Sequence, residues 1–178
     1  MRAFVALRLD ADAEAAIDAV AREVAKRANA KPTLKDDLHV TLKFLGDVDR
    51  DSVARPVFEA AARAIARVPK ALTFDALTGF PHARRATVAV LEATHVPDPL
   101  VALAREVDDA AAALGVPAET RPYRPHVTLA RLKPPRALPD YVYNAPIVAH
   151  VRALALCETR PPGSLPHYVD VLSVARAT

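Results

Sequence analysis

Between Arg2 and Leu9 hydrophobic and polar positions alternate, with Val5, Leu7 and Leu9 on one face and Phe4, Ala6 and Arg8 on the other, as in a strand. The period then changes. From about 12 to 28, Ile17, Val20, Ala21 and Val24 recur at helical spacing behind an Asp at position 10 or 12 placed to cap the first turn. Pro32 interrupts the pattern, and residues 39–45 read as a second strand closed by Gly46. A second helix is predicted over 51–66, with Val57, Phe58, Ala61 and Ile65 as its buried stripe and Pro56 at its start. Strands are expected over 71–77 and 86–92, around the loop TGFPHARR. The clearest helix has Asp98 as N-cap, Pro99 in the first position, a stripe of Leu100, Leu103, Val107, Ala111 and Leu114, and Gly115 as its stop. Pro122 and Pro125 hold the chain extended into a strand that opens at His126, and 147–156 and 167–174 are the closing strands.

The order of elements is similar in the two halves, and each half contains the tetrapeptide HVTL. Its histidines, at positions 39 and 126, stand 87 apart, about half the chain. This predicts an α+β fold with two pseudo-symmetric lobes, each an antiparallel sheet with helices packed on the outside, and an active-site cleft between them. The whole chain, 1–178, is expected to be one bilobal domain with an approximate duplication of 1–95 and 96–178.

Composition narrows the function. With 178 residues, 52% hydrophobic and 25% charged, the chain suits one domain large enough to bury a core. The opening MRAFVALRLD is too short and too interrupted by arginine for a signal peptide or a span, so a cytoplasmic protein with no membrane partner is expected. Cys157 is the single cysteine, which excludes an internal disulfide and reads as a small buried hydrophobe. A net charge of +3 is a mild excess, but Arg84, Arg85, Arg121, Arg124, Arg131 and Lys133 gather around the motifs, where they could attract a polyanion. Taken singly, each also reads as solvated surface charge.

Strand alternation places His39, Thr41 and Lys43 opposite Val40, Leu42 and Phe44, and His126 with Thr128 opposite Val127 and Leu129. A lone HVTL reads more readily as a strand-opening histidine satisfied by a neighbouring carbonyl, and it is the pair that points further. Two polar faces meeting across a cleft would bring two imidazoles and two hydroxyls onto one ligand. Imidazole, with a pKa near ~6.5, can serve as base on one side and acid on the other. Each threonine, roughly 6–7 Å along its strand, could donate to a non-bridging oxygen of an anion between the histidines. The chain has no G-x-S-x-G, no H-E-x-x-H and no Gly-rich phosphate loop, so the pattern points to acid–base chemistry on a phosphate with no metal and no cofactor.

HVTLKFLG and RPYRPHVTLAR resemble the paired H-x-T-x motifs of the two-histidine phosphoesterase superfamily, and specifically the RNA 2′,3′-cyclic phosphodiesterases once named 2′-5′ RNA ligases. MRAFVAL, ALTGFP and LCETRPPGSLPHYVDVL fall in the same family order, so the resemblance covers almost the whole chain. It implies metal-independent hydrolysis of a terminal 2′,3′-cyclic phosphate to a 2′-phosphate, with reverse 2′-5′ ligation at the same site. His39 would be proton donor to the leaving 3′ oxygen, His126 the acceptor that activates water, and Thr41 and Thr128 the phosphate holders. Arg131 is expected near the phosphate, although alternation sets it with Val127 and Leu129 unless the strand bulges. Arg124 and Lys43 are further substrate-binding candidates. Phe80, Tyr123 and Tyr168 are candidates for stacking the terminal base, or simply for packing, and the segment HARRATVAVLEA lacks the tryptophan that relatives carry there. His82, His95, His150 and His167 read as surface or loop residues. The partner implied is RNA ending in a 2′,3′-cyclic phosphate, tRNA halves among them, bound by a monomer. Two other readings remain: an RNA-end-binding module without turnover, and a zinc-dependent hydrolase, which a chelator would inactivate.

Overall fold

The computed structural model describes residues 1–141, 143 and 145–176. The opening alternation forms strand β1 (Arg2–Leu9), but both of its faces are covered, and every residue from Ala3 to Leu9 is buried. Helix α1 (Ala11–Arg27) comes next, its first turn capped by the Asp10 carboxylate, which accepts from the Ala13 N–H at 3.0 Å. Its apolar stripe, Ile17, Ala21 and Val24, is fully buried. Then come β2 (Lys31–Pro32), β3 (Val40–Asp47), a π-helical turn (Arg50–Ala54) leading into α2 (Arg55–Ala62), β4 (Ala71–Phe74), β5 (Ala76–Phe80) and β6 (Ala86–Glu92). Helix α3 (Asp98–Ala112), β7 (His126–Arg136), β8 (Ile147–Thr159) and β9 (Tyr168–Ala175) complete the chain.

These strands make two antiparallel sheets, the α+β architecture the sequence predicts. The first runs β3-β1-β8-β4, with β9 also paired to β8, and the second runs β2-β7-β6-β5. One continuous apolar core includes residues of both sheets and the buried stripes of all three helices. Helix α1 packs against β7 and β8, which belong to different sheets, and so ties the lobes together.

The lobes are not the two halves of the sequence. β3 sits in a sheet completed by β8 and β9, while β7 sits beside β6 and β5 from the first half. The order strand, helix, motif strand occurs as β1-α1-β3 with both strands in the first sheet and as β6-α3-β7 with both strands in the second, so β6 groups with β7. The expected strand over 71–77 divides at Asp75. β4 pairs with β8 in the first sheet and β5 with β6 in the second. At the division the Asp75 carboxylate accepts the N–H and hydroxyl of Thr94, at 2.9 and 2.6 Å, fixing the crossover. β5 also absorbs Thr78 to Phe80, which the Gly–Phe–Pro sequence suggests as loop. Pro97, not Asp98, holds the cap position of α3, and no side chain caps it. The helix expected over 51–66 is three pieces, capped by the Asp49 carboxylate and ending in a 3₁₀ turn, Ile65–Arg67.

Candidate active site

β3 and β7 belong to different sheets, yet His39, Thr41, His126 and Thr128 line one cleft. His39, immediately before β3, places Nδ1 2.7 Å from the carbonyl of Asp37; His126, at the start of β7, places Nδ1 2.7 Å from the carbonyl of Arg124. In both motifs the acceptor is two residues before the histidine. A carbonyl only accepts, so Nδ1 carries the hydrogen in each ring and Nε2 is left free. A neutral ring can then take a proton at Nε2, and a charged one can give it up there.

Beyond each histidine a bulge decides which side chains face the cleft. In β7, Thr128 pairs with Val90 and Ala130 with Ala89, so Leu129 is an extra residue; Leu129 and Ala130 are both buried. The alternation slips by one, and Arg131 joins His126 and Thr128 on the cleft face. In β3, Thr41 pairs with Ala6 and Lys43 with Val5, which makes Leu42 the extra residue. Here the slip turns Lys43 inward. It is 8% exposed, forms an ion pair with Asp108 at 2.6 Å and donates to the Pro117 carbonyl at 2.7 Å. Lys43 is therefore a buried tie to α3, not a substrate contact. The same slip turns Phe44 outward, 64% exposed and lining the cleft, a residue that alternation had assigned to the core.

A polar clamp underlies His39. Asp37 is 1% exposed, and its carboxylate accepts from the ring Nδ1 of His167 (2.6 Å) and from the backbone N–H groups of His167 and Tyr168 (3.2 and 3.1 Å). Arg8, buried in β1, donates to the carbonyl of Leu38 at 3.1 Å and pairs with Asp170 of β9. β1, β9 and the turn Lys35–Asp37 thus fix the carbonyl that sets the His39 tautomer. His167 is exposed in the loop before β9, as the sequence reads, and its ring is the partner of a buried carboxylate. The His39 ring itself packs against Phe4 (4.7 Å between centroids) and meets Tyr168 edge-on at 5.2 Å.

His126 has a more open setting. Arg124 forms a bidentate pair with Glu92, both contacts 2.6 Å, and lies over the Phe80 ring, which meets His126 edge-on at 4.8 Å. Arg124 is thus neutralised, and Phe80 backs the histidine instead of facing the cleft. Tyr123 packs against the core, and its hydroxyl donates to the Thr41 carbonyl at 3.0 Å, which ties the two motif strands together. Of the three aromatic candidates, Tyr168 alone lines the cleft, and its hydroxyl accepts from Arg131 at 3.3 Å. Cys157 is buried, its thiol pushed up by burial.

Burial holds both imidazoles toward the neutral form. It pushes His39 down to about 4; the Asp37 carbonyl opposes this, and the Arg8 charge adds to it. His126 is lowered for the same first reason, with the Arg124 carbonyl and the Glu92 charge acting in the opposite direction. Arg131 forms no ion pair among the described residues, which leaves its charge available to a bound anion. Among those residues no three His, Cys, Asp or Glu side chains are grouped to hold a metal, and no helix is long and apolar enough to cross a membrane.

The fold and sequence match known proteins. The chain is 32% identical over 130 residues to an RNA 2′,3′-cyclic phosphodiesterase of Geobacillus stearothermophilus, covering 72% of this chain and 41% of that protein, so it spans less than half of that relative's length. It is 25% identical over 134 residues to an RNA 2′,3′-cyclic phosphodiesterase of Aquifex aeolicus, covering 75% and 71%. Escherichia coli LigT complexed with 3′-AMP superposes with a TM-score of 0.72 at 24% identity, covering 99% of this chain and 98% of that one. TT0787 of Thermus thermophilus superposes with a TM-score of 0.71 at 24% identity and the same coverage. The 2′-5′ RNA ligase superfamily model matches residues 9–161, and on that match the chain belongs to the 2′-5′ RNA ligase superfamily.

Proposed function

We propose that this protein hydrolyses the 2′,3′-cyclic phosphate at the end of an RNA to a 2′-phosphate, by paired-histidine acid–base catalysis without a metal. The observation that carries the reading is the matched pair of imidazoles, each with Nδ1 committed to a backbone carbonyl 2.7 Å away, in one cleft with both motif threonines. Two relatives named as RNA 2′,3′-cyclic phosphodiesterases support it. Water attacks phosphorus, passing a proton to Nε2 of His126, while His39 gives its Nε2 proton to O3′ as the P–O3′ bond breaks. The products are a 3′-hydroxyl and a 2′-phosphate, and solvent returns the proton from His126 to His39. Thr41 and Thr128 donate to the non-bridging oxygens, and Arg131 balances the charge that grows on them. Tyr168 and Phe44 supply apolar surface for the terminal base. With a 5′-hydroxyl in place of water, the same groups would join a 2′,3′-cyclic end to it through a 2′-5′ bond, His126 taking the hydroxyl proton and His39 again protonating O3′. The protein works on RNA ends, tRNA halves among them, as a cytoplasmic monomer.

The matching tautomers favour catalysis over an RNA-end-binding module, because phosphate holding alone is served by Arg or Lys without a titrating pair. The test is turnover of RNA ending in a 2′,3′-cyclic phosphate, with EDTA present, by wild type, His39→Ala and His126→Ala. Activity in wild type alone is the expected result. Binding without turnover would favour the module, and activity only after zinc addition would favour a metal hydrolase.

A further inference from the structure

The strand that carries His126 continues past the cleft as a row of cations. Arg131 is the cross-strand partner of Lys31 in β2, and partners in an antiparallel pair share a face with their Cα atoms about 5 Å apart. Leu132 turns back into the small apolar cluster with Ala25, Ala28 and Ala86, which returns Lys133 to the side of Arg131. Beyond them, the turn Ala83–Arg85 carries Arg84 and Arg85 into the far end of β6. All five side chains are on exposed residues, and none forms an ion pair among the described residues.

Folding gains nothing from this arrangement. Like charges directly across a strand pair repel. Of the other cations around the motifs, Arg8 is neutralised by Asp170, Lys43 by Asp108 and Arg124 by Glu92. Lys35, in the turn before His39, is exposed and unpaired among the described residues, but the group of five unpaired cations lies over the second sheet. We propose that this row is the path of the RNA strand upstream of the reacting end, with its phosphates over Lys31 and Lys133 while Arg131 serves the terminal phosphate. The partner is a single-stranded polynucleotide, and the row gives the site a preference for a polymer end over a mononucleotide, which would fill the cleft alone. This inference rests on the reading of the cleft as an RNA-end site.

The test is binding of a labelled single-stranded RNA ending in a 2′-phosphate, measured by fluorescence anisotropy across a salt series, which needs no turnover. Lys31→Ala/Lys133→Ala is compared with wild type and with Arg63→Ala/Arg105→Ala, a control of equal charge loss at exposed positions outside the cleft, at the C-cap of α2 and on α3. Removing two phosphate contacts should weaken binding roughly tenfold at low salt and lower the slope of log K against log salt by about 1.4. The control should keep the wild-type slope. A wild-type slope in the lysine variant, or an equal loss in the control, overturns the proposal. In the turnover assay, the ratio of kcat/KM for RNA to that for a mononucleoside 2′,3′-cyclic phosphate should fall by the same factor, and equal losses on both substrates also overturn it. Should wild type turn over neither substrate, the cleft reading fails, and the anisotropy result still decides the row.

Discussion

Phosphate binding should charge His39. In the free protein burial holds this imidazole near 4, so at pH 7 only about one ring in a thousand carries the proton that a general acid must donate. Restoring it to half-charged at pH 7 means raising it by about 3 units, which is about 4 kcal/mol. A phosphate anion about 4 Å from the ring, at the effective dielectric near a protein surface, interacts with an imidazolium by about 4 kcal/mol. On the proposed function, phosphate and proton therefore bind together, and the site is charged by its own ligand. Histidine side-chain NMR, titrated with and without saturating inorganic phosphate, reads this directly. His39 should move from near 4 to near 7, and the phosphate affinity should weaken as pH rises above that value. A His39 that titrates near 6.5 in the free protein, or that does not move with phosphate, would refute the reasoning. If His126 alone took up the proton, the donor and acceptor roles would be exchanged.

Because the folded-state value of His39 lies below its unfolded value near 6.5, the unfolded chain binds more protons between about 4 and 6.5. Stability is thus full above that window and is lost as pH falls through it, by up to about 3 kcal/mol; His39→Gln should flatten this slope in urea denaturation. Arg131→Ala should lower kcat/KM by roughly 10- to 100-fold through loss of a charge-assisted contact, while leaving the melting temperature near that of wild type. Tyr123→Phe, which removes the donor to the Thr41 carbonyl, should cost about 1 kcal/mol of stability, and a KM effect limited to purine or pyrimidine ends would instead restore it as a stacking residue. Asp37→Asn should leave the fold in place but lower kcat more than it raises KM and shift the pH profile, because His167 and Tyr168 lose the carboxylate that fixes the turn before His39; an unchanged profile would make Asp37 purely structural.

The gathering of His39, Thr41, His126 and Thr128 in one cleft was legible because HVTL occurs twice and strand alternation puts histidine and threonine together. Alternation failed from the fourth residue beyond each histidine, at Lys43 and Ala130. The need to bring Arg131 to a phosphate already implied a bulge in β7, and the same bulge applied to the repeat in β3 would have turned Lys43 inward and Phe44 outward. That step was available from the repeat itself. The Asp37–His167 pair was not, since the two residues are 130 positions apart and meet only because β9 closes the first sheet. Nor could the exchange of strands between lobes be read locally, for 71–77 is one hydrophobic run whose division depends on the Asp75–Thr94 contact.

The measurement that bears most directly on the central claim is phosphorus NMR of the product formed from a 2′,3′-cyclic-phosphate RNA in ¹⁸O-labelled water with EDTA present. Paired-histidine hydrolysis predicts a 2′-phosphate carrying one labelled oxygen, with no product from His39→Ala or His126→Ala. A 3′-phosphate, an unlabelled product, or undiminished turnover by either histidine variant would contradict it.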